Sequence, residues 1–198
     1  MLTFGLSGDA RACRQTRAET VRRIRRAGGV YTGRPLGRKW AETRFRSPYL
    51  RHGLWEHGYA VDTLETAVNW DRVPEMVARV EDAIRANAGQ GESAHVFTHL
   101  SHLYPQGSSI YTTYVFRCSE TLEATRERWW RMKSAASDAI AELGGTISHQ
   151  HGVGRDHAPW LPREKGELGM AALSTVLRHF DPEHRLNPGC LLGDDDAR

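Results

Sequence analysis

The sequence predicts an α+β fold: a largely antiparallel sheet with helices on one face, followed by a C-terminal helical segment. Three observations lead there. The β-rich runs AHVFTHLSHLY and SSIYTTYVFRC are joined by Pro-Gln-Gly, a hairpin signal. Helical patterns flank that hairpin on both sides, in NWDRVPEMVARVEDAIRANAG and SETLEATRERWWRMKSAASDAIAELGG. The resulting order, β-α-β, an irregular stretch, then β-α-β-β-α-β, mixes strands and helices without the regular alternation of a parallel sheet.

Taken in order, residues 1–6, MLTFGL, read as a strand. SGDARACRQTRAETVRRIRRAGG reads as a helix that Ser7 or Asp9 can cap, with Cys13, Val21 and Ile24 as its apolar stripe and Gly28-Gly29 as its stop. VYTG is a short strand, and the loop after it holds Gly33, Pro35 and Gly37. Pro48 breaks the less regular stretch that follows, and Leu50 and Leu54, four apart, mark a second helical segment. YAVDTLETAV alternates as a strand over 59–68. In the next helix Val73, Val77, Val80 and Ile84 share a face, Asn69 or Asp71 caps the start, and Pro74 is tolerated in the first turn. The long helix after the hairpin opens with a capping-box pattern around Ser119 and closes at Gly144-Gly145. TISHQHGVG is a strand or loop, and a last helix covers residues 164–179. Pro182 and Pro188 exclude further helix beyond it.

A chain of 198 residues can bury one core, or one core with a small appendage. A hydrophobic share of 39% with 26% charged residues matches soluble globular proteins. No run of eighteen apolar residues occurs, so no integral membrane segment is expected. The net charge of +3 is mild, and the densest basic run, RRIRR, falls on a helical pattern as a solvated face; no nucleic-acid partner is expected. Three widely spaced cysteines without a CxxC indicate a reducing compartment, the cytoplasm. The opening residues carry neither a basic region nor a cleavage pattern and enter an element at once, as a piece of a longer protein would.

The chemistry concentrates in SHQHGVGRDH. If that run is extended, His149 and His151 point to one side and Gln150 to the other. Two imidazoles on one face can hold a metal or share proton transfer, and the alternative is a polar loop with hydrogen-bonded histidines. Gly152 and Gly154 let the backbone bend and approach a ligand closely. A metal would need a third ligand from afar, and no HExxH or Cys–His spacing supplies one, so no metal site is assigned. On a strand, His95 and His99 face one side and His102 the other, so the three cannot converge without a bulge and read as structural or surface residues. Tyr111 and Tyr114 fall on opposite faces, one for the core and one for a pocket. Arg51 could grip a carboxylate or phosphate bidentately, or lie on the surface. P-loop, GxGxxG and GxSxG patterns are absent from the sequence.

Five stretches, in order along nearly the whole chain, resemble the C-terminal half of flavin-linked oxidases of the vanillyl-alcohol-oxidase superfamily, and most of all its alkyldihydroxyacetonephosphate synthase family. They are PYLRHGL, LETAVNWDRV, SSIYTTYVF, SHQHGVGR and FDPEHRLNPGCLL. The resemblance implies FAD as cofactor and a ferredoxin-like, substrate-binding cap domain over 1–145. Residues 146–198 would form a C-terminal segment packing on an FAD-binding domain that precedes this chain. It implies that Arg51 binds the substrate's phosphate or carboxylate. Tyr111, His149 and His151 would be catalytic, and Gln150, Gly152 and Asn187 would lie close to the flavin. A glycerone-phosphate-type or hydroxy-acid substrate and a homodimer belong to the same expectation, and this chain by itself should bind FAD poorly. Two departures stand out: Gln150 occupies the middle of the family's triple histidine, and His52 follows Arg51 where the family has an acid. Both leave room for a flavin dehydrogenase of 2-hydroxy acids, and a non-catalytic α+β binding module is the remaining alternative.

Overall fold

A computed structural model describes residues 3–192, with no side chains described for residues 47 and 48. It divides into two compact units between Gly53 and Leu54.

The first unit is helical. Helix α1 spans Ala10–Arg26, and the Asp9 carboxylate accepts the amides of Arg11 and Ala12 at 2.8 and 3.0 Å, which settles the cap in favour of Asp9 over Ser7. Arg23, Arg25 and Arg26 in the last turn suit the negative end of the helix dipole. Helix α2, Pro35–Thr43, replaces the expected loop. Its first residue is Pro35, whose fixed φ suits a first helical turn and whose missing N–H costs nothing there. Helix α3, Ser47–Glu56, carries Pro48 at its second position for the same reason, so that proline opens a helix where the sequence suggested a break. Residues 3–6 and 30–33 are not strands, because neither finds a ladder partner; the first two residues of the expected 1–6 strand lie outside the described residues.

The second unit carries the sheet. Strands β1 (Tyr59–Asn69), β2 (Ala94–Leu103) and β3 (Gly107–Arg117) are ordered β1-β3-β2, all antiparallel. Helices α4 (Val73–Ala86) and α5 (Leu122–Glu142) cover one face, giving the ferredoxin-like β-α-β-β-α order. Alternation along the strands sends Leu64, Ile110, Tyr114 and Phe116 to the helices, where they meet Met76, Val80, Ile84, Met132 and Ile140 in a closed core. Met76 takes the core position given to Val77, which is only partly buried. A 3₁₀ turn, Trp70–Arg72, precedes α4, so neither Asn69 nor Asp71 caps it through its side chain. Thr121, not Ser119, caps α5 by accepting the amide of Ala124 at 3.1 Å.

One charged knot is folded into the helix side. The Lys133 ammonium donates to Asp62 at 3.1 Å and to the Thr63 carbonyl at 3.0 Å, while the Trp129 indole and the Tyr114 hydroxyl donate to the same Asp62 oxygen at 2.6 and 3.0 Å. Burial pushes the Asp62 carboxyl up, but Lys133 and the Trp129 hydrogen bond outweigh it and hold it below the usual range. Burial, together with the Asp62 charge, raises the Tyr114 phenol well above its ordinary value.

Beyond α5 the chain returns along the free edge of β1. Gly145 makes this possible: a Cβ there would stand 2.6 Å from Thr66 Oγ1 and 2.8 Å from Met76 Cε. The Thr66 hydroxyl donates to the Thr146 carbonyl at 2.7 Å, and the His149 amide to the Glu65 carbonyl at 2.9 Å. Helix α6, Leu161–Phe180, starts three residues before the expected 164–179 and is interrupted at Gly166, where φ is 65° and ψ 175°. Its Glu164 accepts the Ile147 amide at 2.8 Å and so pins the returning segment from the other side.

His157, 7% exposed, lies next to this segment with an unpartnered Nδ1. Burial, reinforced by the Lys133 charge, lowers its pKa from 6.5 to about 4. Between those values the unfolded chain binds a proton that the folded chain does not. Stability is therefore full above pH 6.5 and falls as the pH drops towards 4, by about 2 kcal/mol at pH 5. Thermal melts of wild type and His157→Gln across this range should show a flatter acid limb for the variant.

Candidate functional site

The sheet face opposite the helices is the candidate site. Glu65, Tyr111 and His99 sit directly across from one another on β1, β3 and β2, so their side chains share this face. His95, Phe97 and His99 are exposed on it, and Tyr111 is half-buried. Tyr114 points the other way into the core, as the alternation required.

Glu65 organises the site. It is 3% exposed although it lies on the sheet face opposite the helices; the returning segment runs beside it, with the His149 amide bonded to the Glu65 carbonyl. One of its oxygens takes His149 Nδ1 at 3.2 Å and His102 Nδ1 at 3.4 Å; the other takes His151 Nε2 at 3.2 Å. Burial raises its pKa, but hydrogen bonds from Ser109, His149 and His102 together bring it below the usual carboxylate range. The carboxylate therefore stays ionised and, having only acceptor atoms, takes its hydrogen bond from His149 through a proton on Nδ1.

The histidines arrive by irregular backbone. SHQHG is a bent loop, not a strand: Gln150 has φ 60°, Gly152 74° and Gly154 56°. His149 and His151 still meet, because the loop curls around Glu65 and delivers one imidazole to each carboxylate oxygen. Gln150, at the apex, is exposed. His102 crosses to the same face because the β2–β3 register shifts between Leu100 and Leu103, the bulge that the strand reading lacked. The expected face of His102 is corrected accordingly, while its side chain remains 43% exposed. Rings complete the surface: His99 stacks on Tyr111 at 4.9 Å, and His151 meets Tyr111 edge-on at 5.2 Å.

Asn187 is exposed, with φ 47°, and opens a turn that docks beyond the glycines of the loop. There the Leu191 amide donates to the Gly154 carbonyl, and Arg155 Nε to the Pro188 carbonyl, both at 3.0 Å. Arg51 is an exposed residue of α3 in the first unit. Sequence reasoning missed Glu65, Ser109 and Tyr104. The only mark of the first was an acid between Leu64 and Thr66 in the alternating strand, on the face away from the core. Nothing local marked the other two.

Glu65, His102 and His149 also offer three ligand atoms within 4.8 Å of one another, a set that a divalent cation could share. No helix among the described residues is long and apolar enough to cross a membrane.

An α+β unit with imidazoles and a phenol on the open face of its sheet defines a class, and the family comparison gives it a name. The chain belongs to the FAD linked oxidases, C-terminal domain family, whose model matches residues 1–191. FAD is the cofactor of that family. Among curated proteins the chain is similar to alkyldihydroxyacetonephosphate synthase of Trypanosoma brucei brucei, 28% identical over 193 residues, 97% of this chain and 31% of that protein. It is also similar to glycolate oxidase subunit GlcD of Bacillus subtilis, 43% identical over 54 residues, 27% of this chain and 12% of the relative. A solved structure of alkyldihydroxyacetonephosphate synthase superposes with a TM-score of 0.56 at 22% identity, over 71% of this chain and 25% of that one, which shows the shared fold. The chain spans about a third or less of the length of these relatives.

Proposed function

We propose that this chain is the substrate and catalytic-residue portion of an FAD-dependent enzyme of the alkyldihydroxyacetonephosphate synthase type. Residues 1–145 would form the substrate-binding cap, and 146–198 the segment that packs on an FAD-binding domain. The observation that carries this reading is the convergence of three imidazoles on one buried carboxylate beside Tyr111, on the sheet face opposite α4 and α5. The donors also satisfy the buried carboxylate, and in doing so they hold the histidines in fixed positions beside Tyr111.

The stacked Tyr111 and His99 rings and the edge-on His151 would meet one side of a flavin through aromatic edges and ring nitrogens. FAD, when bound, supplies the electron chemistry. This chain's residues orient the substrate and move protons. Glu65 fixes the tautomers and angles of His149 and His151, which polarise the substrate where charge develops. Tyr111 passes a proton, and Gln150, Gly152 and Asn187 would lie near the cofactor. Arg51 is assigned the phosphate or carboxylate, a role its planar fork suits. A glycerone-phosphate-type substrate, a homodimer and a cytoplasmic location complete the proposal, the last supported by three free cysteines.

Two observations favour a second reading, oxidation of a small 2-hydroxy acid. The apex of the loop is Gln150, which cannot act as a base, and the Glu65, His102 and His149 set could hold a cation for a carboxylate substrate. Mixing the FAD-loaded full-length protein with a 2-hydroxy acid in the absence of oxygen separates the two. The synthase reading expects the flavin to stay oxidised, since the ether-forming exchange is redox-neutral. Bleaching by the acid would overturn it in favour of the dehydrogenase.

A further inference from the structure

We propose that Tyr104 is a second proton-exchanging phenol of this site, joined to Glu65 through His149; the inference rests on the catalytic reading of the open sheet face. The Tyr104 hydroxyl lies 3.1 Å from His149 Nε2, and His149 Nδ1 lies 3.2 Å from Glu65 Oε1. The direction of both bonds follows from the buried end. An ionised carboxylate only accepts, so the proton between Glu65 and His149 lies on Nδ1, and in the Nδ1–H tautomer the ring presents a lone pair at Nε2. In that tautomer Tyr104 is the donor, and its proton points at a base. This is the orienting logic of a nucleophile–histidine–carboxylate triad, with a phenol in the first position.

Each member is held by its backbone as well. The His149 amide donates to the Glu65 carbonyl at 2.9 Å, so main chain and ring both hang on residue 65. At the hairpin turn the Tyr104 amide donates to the Gly107 carbonyl at 2.8 Å, and its carbonyl accepts the Trp70 indole at 3.1 Å. The phenol is nevertheless 40% exposed and open to a ligand on the sheet face. Tyr111, by contrast, meets His99 and His151 through its ring.

The step balances without a co-reactant. A substrate X–H gives its proton to the Tyr104 oxygen while the phenolic proton passes to His149 Nε2. The electron pair of the broken bond stays on X, and the imidazolium remains hydrogen-bonded to the Glu65 carboxylate. The reverse transfer returns the proton.

Nitrogen-15 NMR of the imidazoles in the 198-residue chain tests the wiring without any cofactor. The expected result is His149 as the Nδ1–H tautomer, with an Nε2 resonance that moves in Tyr104→Phe. An Nε2–H tautomer, or an Nε2 signal indifferent to Tyr104→Phe, would overturn the relay and leave the flavoenzyme reading standing. In the FAD-loaded full-length protein, Tyr104→Phe should lower turnover about 100-fold or more with unchanged flavin absorbance. Turnover within a few-fold of wild type would show that the phenol is not used.

Discussion

Glu65→Gln in the FAD-loaded full-length protein is expected to lower turnover by about 100-fold or more while flavin binding persists. The amide keeps the size and one acceptor of the carboxylate but loses the charge, and its NH₂ group is turned towards an imidazole that was itself a donor. His149, His151 and His102, all within 3.4 Å of this carboxylate, then lose a common anchor, and at least one must change tautomer or swing away. The effect should fall on the chemical step more than on substrate affinity, because the carboxylate acts through the histidines. Steady-state kinetics beside the flavin spectrum measure it, and a variant with wild-type turnover would remove Glu65 from the mechanism.

Lys133→Ala should destabilise the 198-residue chain by about 3 kcal/mol, the lower end of the cost of stranding one member of a buried ion pair. Lys133 is 3% exposed and faces Asp62, whose side chain keeps 27% of its surface in solvent, and that partial hydration limits the loss. Asp62 would retain Trp129 and Tyr114 as donors, yet without the ammonium its charge loses the largest contribution that offsets its burial. Adding Asp62→Asn to Lys133→Ala should recover part of the stability, since the stranded charge is then gone. Urea unfolding of the single and double variants measures this, and an additive double variant would mean that the two groups are not coupled.

Much of the architecture was readable because its causes are local. The hairpin was announced by Pro-Gln-Gly between two alternating runs, and α4 and α5 by apolar spacing at helical period. The errors came where distant partners decide. MLTFGL has strand composition, but a strand exists only through a neighbour, and residues 3–6 have none. Pro35 was read as a loop residue and Pro48 as a break, although a proline is favourable in a first helical turn.

The site followed the same rule. His149 and His151 stood out by spacing and glycines, and they do meet, though by a curled loop and a shared carboxylate instead of an extended face. His102 was assigned to the wrong side because a one-residue register shift inverts every side chain beyond it, and the bulge leaves no mark in THLSHLY. Glu65 went unweighed because a single strand acid gains meaning only when three imidazoles, 37 to 86 positions further along, arrive around it.

Hydrogen–deuterium exchange of the full-length protein, with and without FAD, tests the open face most directly. The expected result is protection on FAD binding in the peptides covering residues 98–111 and 147–154, the two stretches that carry the histidines and Tyr111. Unchanged exchange in both stretches, with protection confined to α4 and α5, would place the cofactor on the other side of the sheet and contradict the account.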